Sequence, residues 1–186
     1  MIIQENKNSN KVSPLKKAVI ITAIIVLLLG GIVAAIIAIR SFRNYFHPYL
    51  FGFTCGSIGL LIGLFVSNRL KSKIFFSPSK GMNYFRTIMC ITPGIIGLTL
   101  LLGEYSNRQF AAKEKCADYS IVEKTFIKKG HKTPELNILV IDVEGTHRKI
   151  ITSPEYFRSV YKGKKINACI YKGRIGFDFL TLTNDN

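Results

Sequence analysis

The sequence predicts an α-helical membrane anchor of three spanning helices, followed by a small β-rich domain of five strands plus a short helix, built as an OB-like or SH3-like barrel. Three observations carry this. Residues 18–39 form an uninterrupted apolar run bracketed by Lys16, Lys17 and Arg40, two further uncharged runs follow at 49–66 and 87–103, and beyond residue 117 the hydrophobic period changes from that of a helix to that of a strand. Charge divides near the same place: residues 1–103 hold eleven Lys/Arg and one acid, whereas residues 104–186 hold fifteen Lys/Arg and ten acids. The organisation is a basic flexible tail (1–17), a three-helix transmembrane region (18–103), a linker (104–117) and a small β-barrel-like domain (118–183).

At about 1.5 Å per residue the first run spans roughly 33 Å, enough for a hydrocarbon core of about 30 Å. A cleavable signal segment has an apolar stretch of about 7–15 residues. This run is longer and no A-x-A site follows it, so it reads as a retained helix. The tail before it is polar and carries Lys7, Lys11, Lys16 and Lys17; Ile2 stands where N-myristoylation needs glycine. Tyr45, Phe46 and Tyr49 mark an aromatic belt where the second run begins.

The second run contains Gly52, Gly56, Gly59 and Gly63. At about 100° per residue these glycines fall within about 60° of one another, a groove into which another backbone can pack, within the chain or between chains. The loop 67–86 carries Arg69, Lys71, Lys73, Lys80 and Arg86 with no acid and a turn signal at 77–81; Ile74, Phe75 and Phe76 are expected to dip into the interface. The third run has Pro93-Gly94 inside it, where a kink is expected because proline removes a hydrogen bond to Met89. Cys90, Gly94 and Gly97 share a face and offer a surface to the glycine groove of the second helix.

Nine Lys/Arg lie in the tail and the 67–86 loop, against five in the 40–48 loop and just after the third helix. Positive-inside sorting then puts the N-terminus in the cytoplasm of a bacterial-type inner or plasma membrane and the C-terminal domain outside it.

From residue 104 to about 115 the chain reads as a polar helical continuation or linker. Strands follow at 119–128, 136–143, 147–152, 166–171 and 175–182, punctuated by Lys129-Gly130, Glu144-Gly145, Lys162-Gly163 and Lys172-Gly173. Ser153-Pro154-Glu155 is a helix start, with serine as N-cap and proline at the first helical position, so 154–160 is expected to be a short helix. Five strands with a helix between the third and fourth is the element order of an OB-type barrel, and an SH3-like or simple curled sheet fits the same runs nearly as well. Membrane helices followed by such a barrel are similar in layout to the NfeD-like membrane proteins, a resemblance of element order alone.

Chemistry is sparsely marked. Asp142, Glu144 and His147 surround one tight hairpin, but without a further ligand at a telling spacing they read as a solvated turn; no catalytic or metal residue is assigned and no cofactor is expected. Ser153 lacks a G-x-S-x-G setting, and His131 reads as a surface residue. Lysines at the predicted turns suit a solvated or headgroup-facing rim rather than nucleic acid. The four cysteines divide into Cys55 and Cys90 within helices and Cys116 and Cys169 in the β domain, where a disulfide and two free thiols fit the spacing equally well. The expected role is that of a non-enzymatic envelope accessory or assembly factor displaying its β domain to a membrane-protein partner or a second copy. A membrane enzyme or small pore is the alternative.

Overall fold

The computed structural model describes residues 14–74, 80–128 and 136–183. Three helices come first: α1 (Pro14–Ser41), α2 (Pro48–Ile74) and α3 (Lys80–Gln109), joined at the α1–α2 turn by a 3-10 turn (Phe42–Asn44). All three are long and apolar enough to cross a membrane. The strands are β1 (Ala112–Ile127), β2 (Leu136–Val143), β3 (Thr146–Thr152), β4 (Lys165–Lys172) and β5 (Phe179–Leu182), with α4 (Pro154–Ser159) between β3 and β4. The strands form one antiparallel sheet in the order β3-β2-β1-β4-β5.

Several elements are longer than the sequence pattern suggested. The stretch 67–74 continues α2, because Ser67 through Ile74 contains no glycine or proline and an acid-free basic run does not stop a helix. Residues 104–109 finish α3, where Glu104 and Arg108 support one another across one turn at 2.6 Å. Residues 112–117, read as linker, are the start of β1. They escaped the strand pattern because nearly all are exposed, so no apolar alternation marks them. The fifth strand is shorter than 175–182, since Gly176 sits at φ +87° in a turn whose N–H donates to the Gly173 carbonyl at 3.0 Å. The tail through residue 13, Phe75, Phe76, most of the 77–81 turn, the Lys129-Gly130 turn and His131 lie outside the described residues.

Packing among the helices is centred on α3, which lies against both α1 and α2 while those two touch one another little. The interface of α2 is a row in steps of four: Phe51, Cys55, Gly59, Gly63 and Ser67 are all buried. A Cβ on Gly59 would stand 2.1 Å from Thr99 Oγ1, and one on Gly63 would stand 2.8 Å from Thr92 Cγ2, so these two glycines admit the threonines of α3. Gly52 touches only the Phe42 ring and Gly56 has open space, so within the chain two of the four glycines make the close contact. A correction concerns Gly94 and Gly97. They turn away from α2 and meet α1, where a Cβ on Gly97 would fall 1.8 Å from the Gly31 carbonyl oxygen and one on Gly94 would fall 2.6 Å from that of Leu27. Gly31, Ala34 and Ala38 are the small buried positions that let α1 come so close. Helix α3 runs on through Pro93, which is exposed. Thr92 turns inward, its hydroxyl 3.3 Å from that of Ser67.

The sheet curls into an open half-barrel around Ile121, Leu139, Ile141, Ile150, Ala168 and Leu180. A closed barrel is not formed: β3 and β5 are its two edges and do not pair with one another. Glu144 (φ 53°) and Gly145 (φ 81°) make the tight β2–β3 turn, both central residues left-handed as a two-residue hairpin loop of this kind requires. The Ser153 hydroxyl caps α4 by accepting from the Tyr156 N–H at 3.2 Å.

The two classes of glycine contact make opposite predictions. Gly97→Val drives carbon into the Gly31 backbone and should destabilise by about 3 kcal/mol, the upper end for overpacking, whereas Gly56→Ala meets no atom and should be neutral or stabilising by up to about 1 kcal/mol through helix propensity. Thermal unfolding in detergent compares them; equal losses would contradict the packing.

Candidate functional site

The best-defined site is the junction between helices and sheet, and it is built from the α1–α2 connection. Helix α1 ends at Ser41, the 3-10 turn reverses the chain, and Pro48 starts α2 with the fixed φ that suits a first helical residue. Between them, residues 44–46 bond to both open edges of the sheet. On the β5 side Tyr45 bridges Phe179 in antiparallel fashion, and the Phe46 N–H donates to the Asp178 carbonyl at 3.0 Å. On the β3 side the Ile151 N–H donates to Asn44 Oδ1 at 3.1 Å, and Arg148 stacks its guanidinium 4.5 Å from the Phe46 ring centroid.

The two aromatic side chains of this turn serve different cores. Phe46 packs against the sheet core, while Tyr45 joins Phe42, Phe51 and Phe179 in a cluster with Ala38, Cys55 and Leu100 of the helices. Tyr45 stacks on Phe51 at 4.8 Å and lies 5.4 Å from Phe179, which in turn stacks on Tyr171 at 5.3 Å. Burial pushes the Tyr45 phenol above its ordinary range, against the opposing influence of nearby Asn107 and Arg108, with which its hydroxyl makes no hydrogen bond of good geometry.

Polar groups of α3 complete the junction. Asn107 is fully buried; its Nδ2 donates to the Phe177 carbonyl at 2.7 Å, and its Oδ1 accepts from the Ile175 N–H at 3.0 Å. Both ends of the amide are thereby matched to the loop before β5, and the Asn107 main-chain carbonyl accepts from the Arg174 N–H at 3.3 Å. Arg108 donates to the Ser41 carbonyl at 2.6 Å, satisfying one of the orphan acceptors at the end of α1 with a cation. The Ser41 hydroxyl donates to Glu104.

Beside this junction lies a cleft of about 610 Å³, lined by Ile39, Pro48 and Tyr49 from the helices and by the β2–β3 hairpin. A smaller recess of about 310 Å³ lies near Phe46 and the β2–β3 turn.

The residues singled out from sequence are placed as follows. Cys116 and Cys169 are register partners on β1 and β4 and are bonded to each other at an Sγ–Sγ distance of 2.03 Å. Cys55 and Cys90 are free thiols. Asp142 and His147 face each other across the β2–β3 hairpin, but Glu144 turns to Lys115 at 2.6 Å, which holds its carboxyl below and the lysine above their usual ranges. Among the described residues no group of three His, Cys, Asp or Glu is placed to hold a metal ion. Sequence reasoning missed Asn107 and Gly31; each is a single small or polar residue on an otherwise ordinary helix. Of the three aromatics read as an interfacial belt, Tyr45 is buried in the helix-side cluster, Phe46 packs half-buried against the sheet core and Tyr49 is exposed. Comparison with family models, curated proteins and solved structures finds no match to this chain.

Three outcomes follow from the junction. Asn107→Leu leaves the Phe177 carbonyl and Ile175 N–H unanswered and should cost about 2–5 kcal/mol, while Tyr45→Phe removes only an unmatched hydroxyl and should be close to neutral at pH 7. Because the folded phenol titrates above the free value of about 10, the stability it lends is intact below that pH and lost as pH rises past it; Tyr45→Phe should remove that share of alkaline loss in denaturant titrations. Replacing Cys116 and Cys169 by serine opens a loop with a sequence separation of 53 and should lower stability by about 2–4 kcal/mol. Unchanged denaturation midpoints for N107L or the double serine variant would contradict the assigned contacts.

Proposed function

We propose that the chain is a multi-pass integral membrane protein which does no chemistry of its own, and serves as an envelope accessory or assembly factor that presents a small β domain to a membrane-protein partner or a second copy. The observation that supports this best is the stiffness of the join. Only Phe110 and Ala111 separate α3 from β1, and the α1–α2 turn is bonded to both sheet edges, so the sheet has a fixed attitude relative to the helices. A tethered catalytic domain has no need of such a joint; a protein that must offer one surface at one height and angle does.

The outward surfaces of the helices suit lipid, for Val19, Ile25, Leu29, Ile36, Leu61 and Phe65 are all large, apolar and exposed. The nine-to-five distribution of basic residues supports a cytoplasmic N-terminus with the sheet outside. An oxidising compartment there accords with the cross-strand disulfide. The pairing of β1 with both β2 and β4, and the placement of α4 between β3 and β4, support an OB-type reading of the sheet, left open where the α1–α2 turn enters.

Two measurements test the proposal. A reporter active only outside the cytoplasm and fused after Asn186 should be active; a cytoplasm-only reporter active at that position would reverse the orientation. A photo-crosslinking side chain at Tyr161, which is 68% exposed on the sheet domain, should give a discrete adduct in cells. A flexible insertion between Gln109 and Ala112 should abolish it, and an adduct indifferent to that insertion would overturn the presenting role.

A further inference from the structure

The cleft beside the junction has two kinds of wall. Its floor is apolar and is shared between the helices and the outer face of the hairpin: Ile39, Pro48 and Tyr49 on one side, Leu136, Ile138 and Ile151 on the other. Alternation along β3 explains the second set. Thr146, Arg148, Ile150 and Thr152 share one face, so His147, Lys149 and Ile151 share the other, and Ile151 is the register partner of Ile138. The rim is basic, formed by Lys149 and Arg148 beside His147, and among the described residues no acid lines the cleft. Asp142, the nearest acid on that hairpin face, lies opposite His147 and outside the lining. Arg148 is committed to Phe46, whereas the Lys149 ammonium makes no ion pair or hydrogen bond among the described residues.

The floor is also continuous with the outer surface of the helices. Ile39 belongs to the exposed row of α1 that includes Ile36, and Tyr49 adjoins the exposed Leu50 and Phe53 of α2. A volume of about 610 Å³ falls in the range of ligand-holding clefts, roughly 300–1,000 Å³. An apolar trough opening onto a helix surface suited to lipid, with unspent positive charge at its upper edge, matches one chemistry: an acyl chain joined to an anionic head.

We propose that this cleft binds an anionic glycerophospholipid, its chain laid between Ile39 and Ile151 and its phosphate at Lys149 and His147. The inference rests on the membrane reading above and adds a ligand to it. The bound lipid couples the hairpin, which belongs to the sheet, to the bilayer in which the helices sit.

The test uses the full chain, purified in neutral detergent and titrated with phosphatidylglycerol or phosphatidylcholine, with retained lipid counted by native mass spectrometry. Phosphatidylglycerol should be retained about tenfold more tightly, as expected for one or two cations beside an anionic head. Lys149→Glu should abolish that preference, and Lys165→Glu, at another exposed lysine, on β4 outside the cleft, should preserve it. Equal retention of both lipids, equal loss in both variants, retention of neither lipid, or displacement of the lipid by inorganic phosphate would overturn the inference. Flotation with phosphatidylcholine vesicles separates the two readings. Protein that floats without a lipid preference refutes the cleft alone, and protein that does not float refutes the membrane reading and the cleft with it.

Discussion

Everything above α3 depends on how an open sheet is finished. A five-stranded sheet that curls but does not close leaves two edges with unpaired N–H and C=O groups, which in water invite pairing with other chains and in a core cost free energy. In this protein the gap is answered by residues 44–46, contributed from a part of the chain more than 130 residues before β5. Tyr45 extends the β5 ladder by one bridge and Asn44 answers an N–H of β3. Helix connection and sheet edge thus become one structure.

Helix α3 carries the other half of that union. Its face toward α1 is small, with Gly94 and Gly97, and its face toward α2 is polar but matched, with Thr92 and Thr99 received by glycines. Its last turns change character, from close backbone packing to hydrogen bonding, as the helix reaches the end of α1 and the sheet together. Asn107 acts on main-chain groups of the loop before β5, while Arg108 bonds to the Ser41 carbonyl and lies over the Phe179 ring, 4.9 Å from its centroid. The loop before β5 is held by these bonds together with Phe177, whose ring meets that of Phe51 edge-on at 5.1 Å.

Much of this architecture was legible because it is written in period and punctuation. The strands β2, β3 and β4, the Glu144-Gly145 turn and the Ser153 cap all have local signals, and local signals survive the absence of tertiary information. Helix partnering was not legible in the same way. A face shared by Gly52, Gly56, Gly59 and Gly63 indicates where a backbone can approach, but only the arrangement of three helices decides that Gly59 and Gly63 are used and that Gly94 and Gly97 belong to α1. The first half of β1 lacked alternation because both its faces are largely exposed, and the strand runs left barrel and curled sheet both open because the residues that occupy the gap lie in a different region of the sequence.

The insertion of residues 44–46 also orders events in time. During synthesis α1 and the turn leave the ribosome long before β5, so the aromatic turn waits, solvent- or lipid-exposed, until the last strand arrives. Contacts of such high sequence separation form late and slowly because the loop they close is long. A sheet cut from the helices would expose Phe179 and Tyr171 along with two raw edges. Swapping this domain onto another anchor would carry over its sequence without the part that completes its fold.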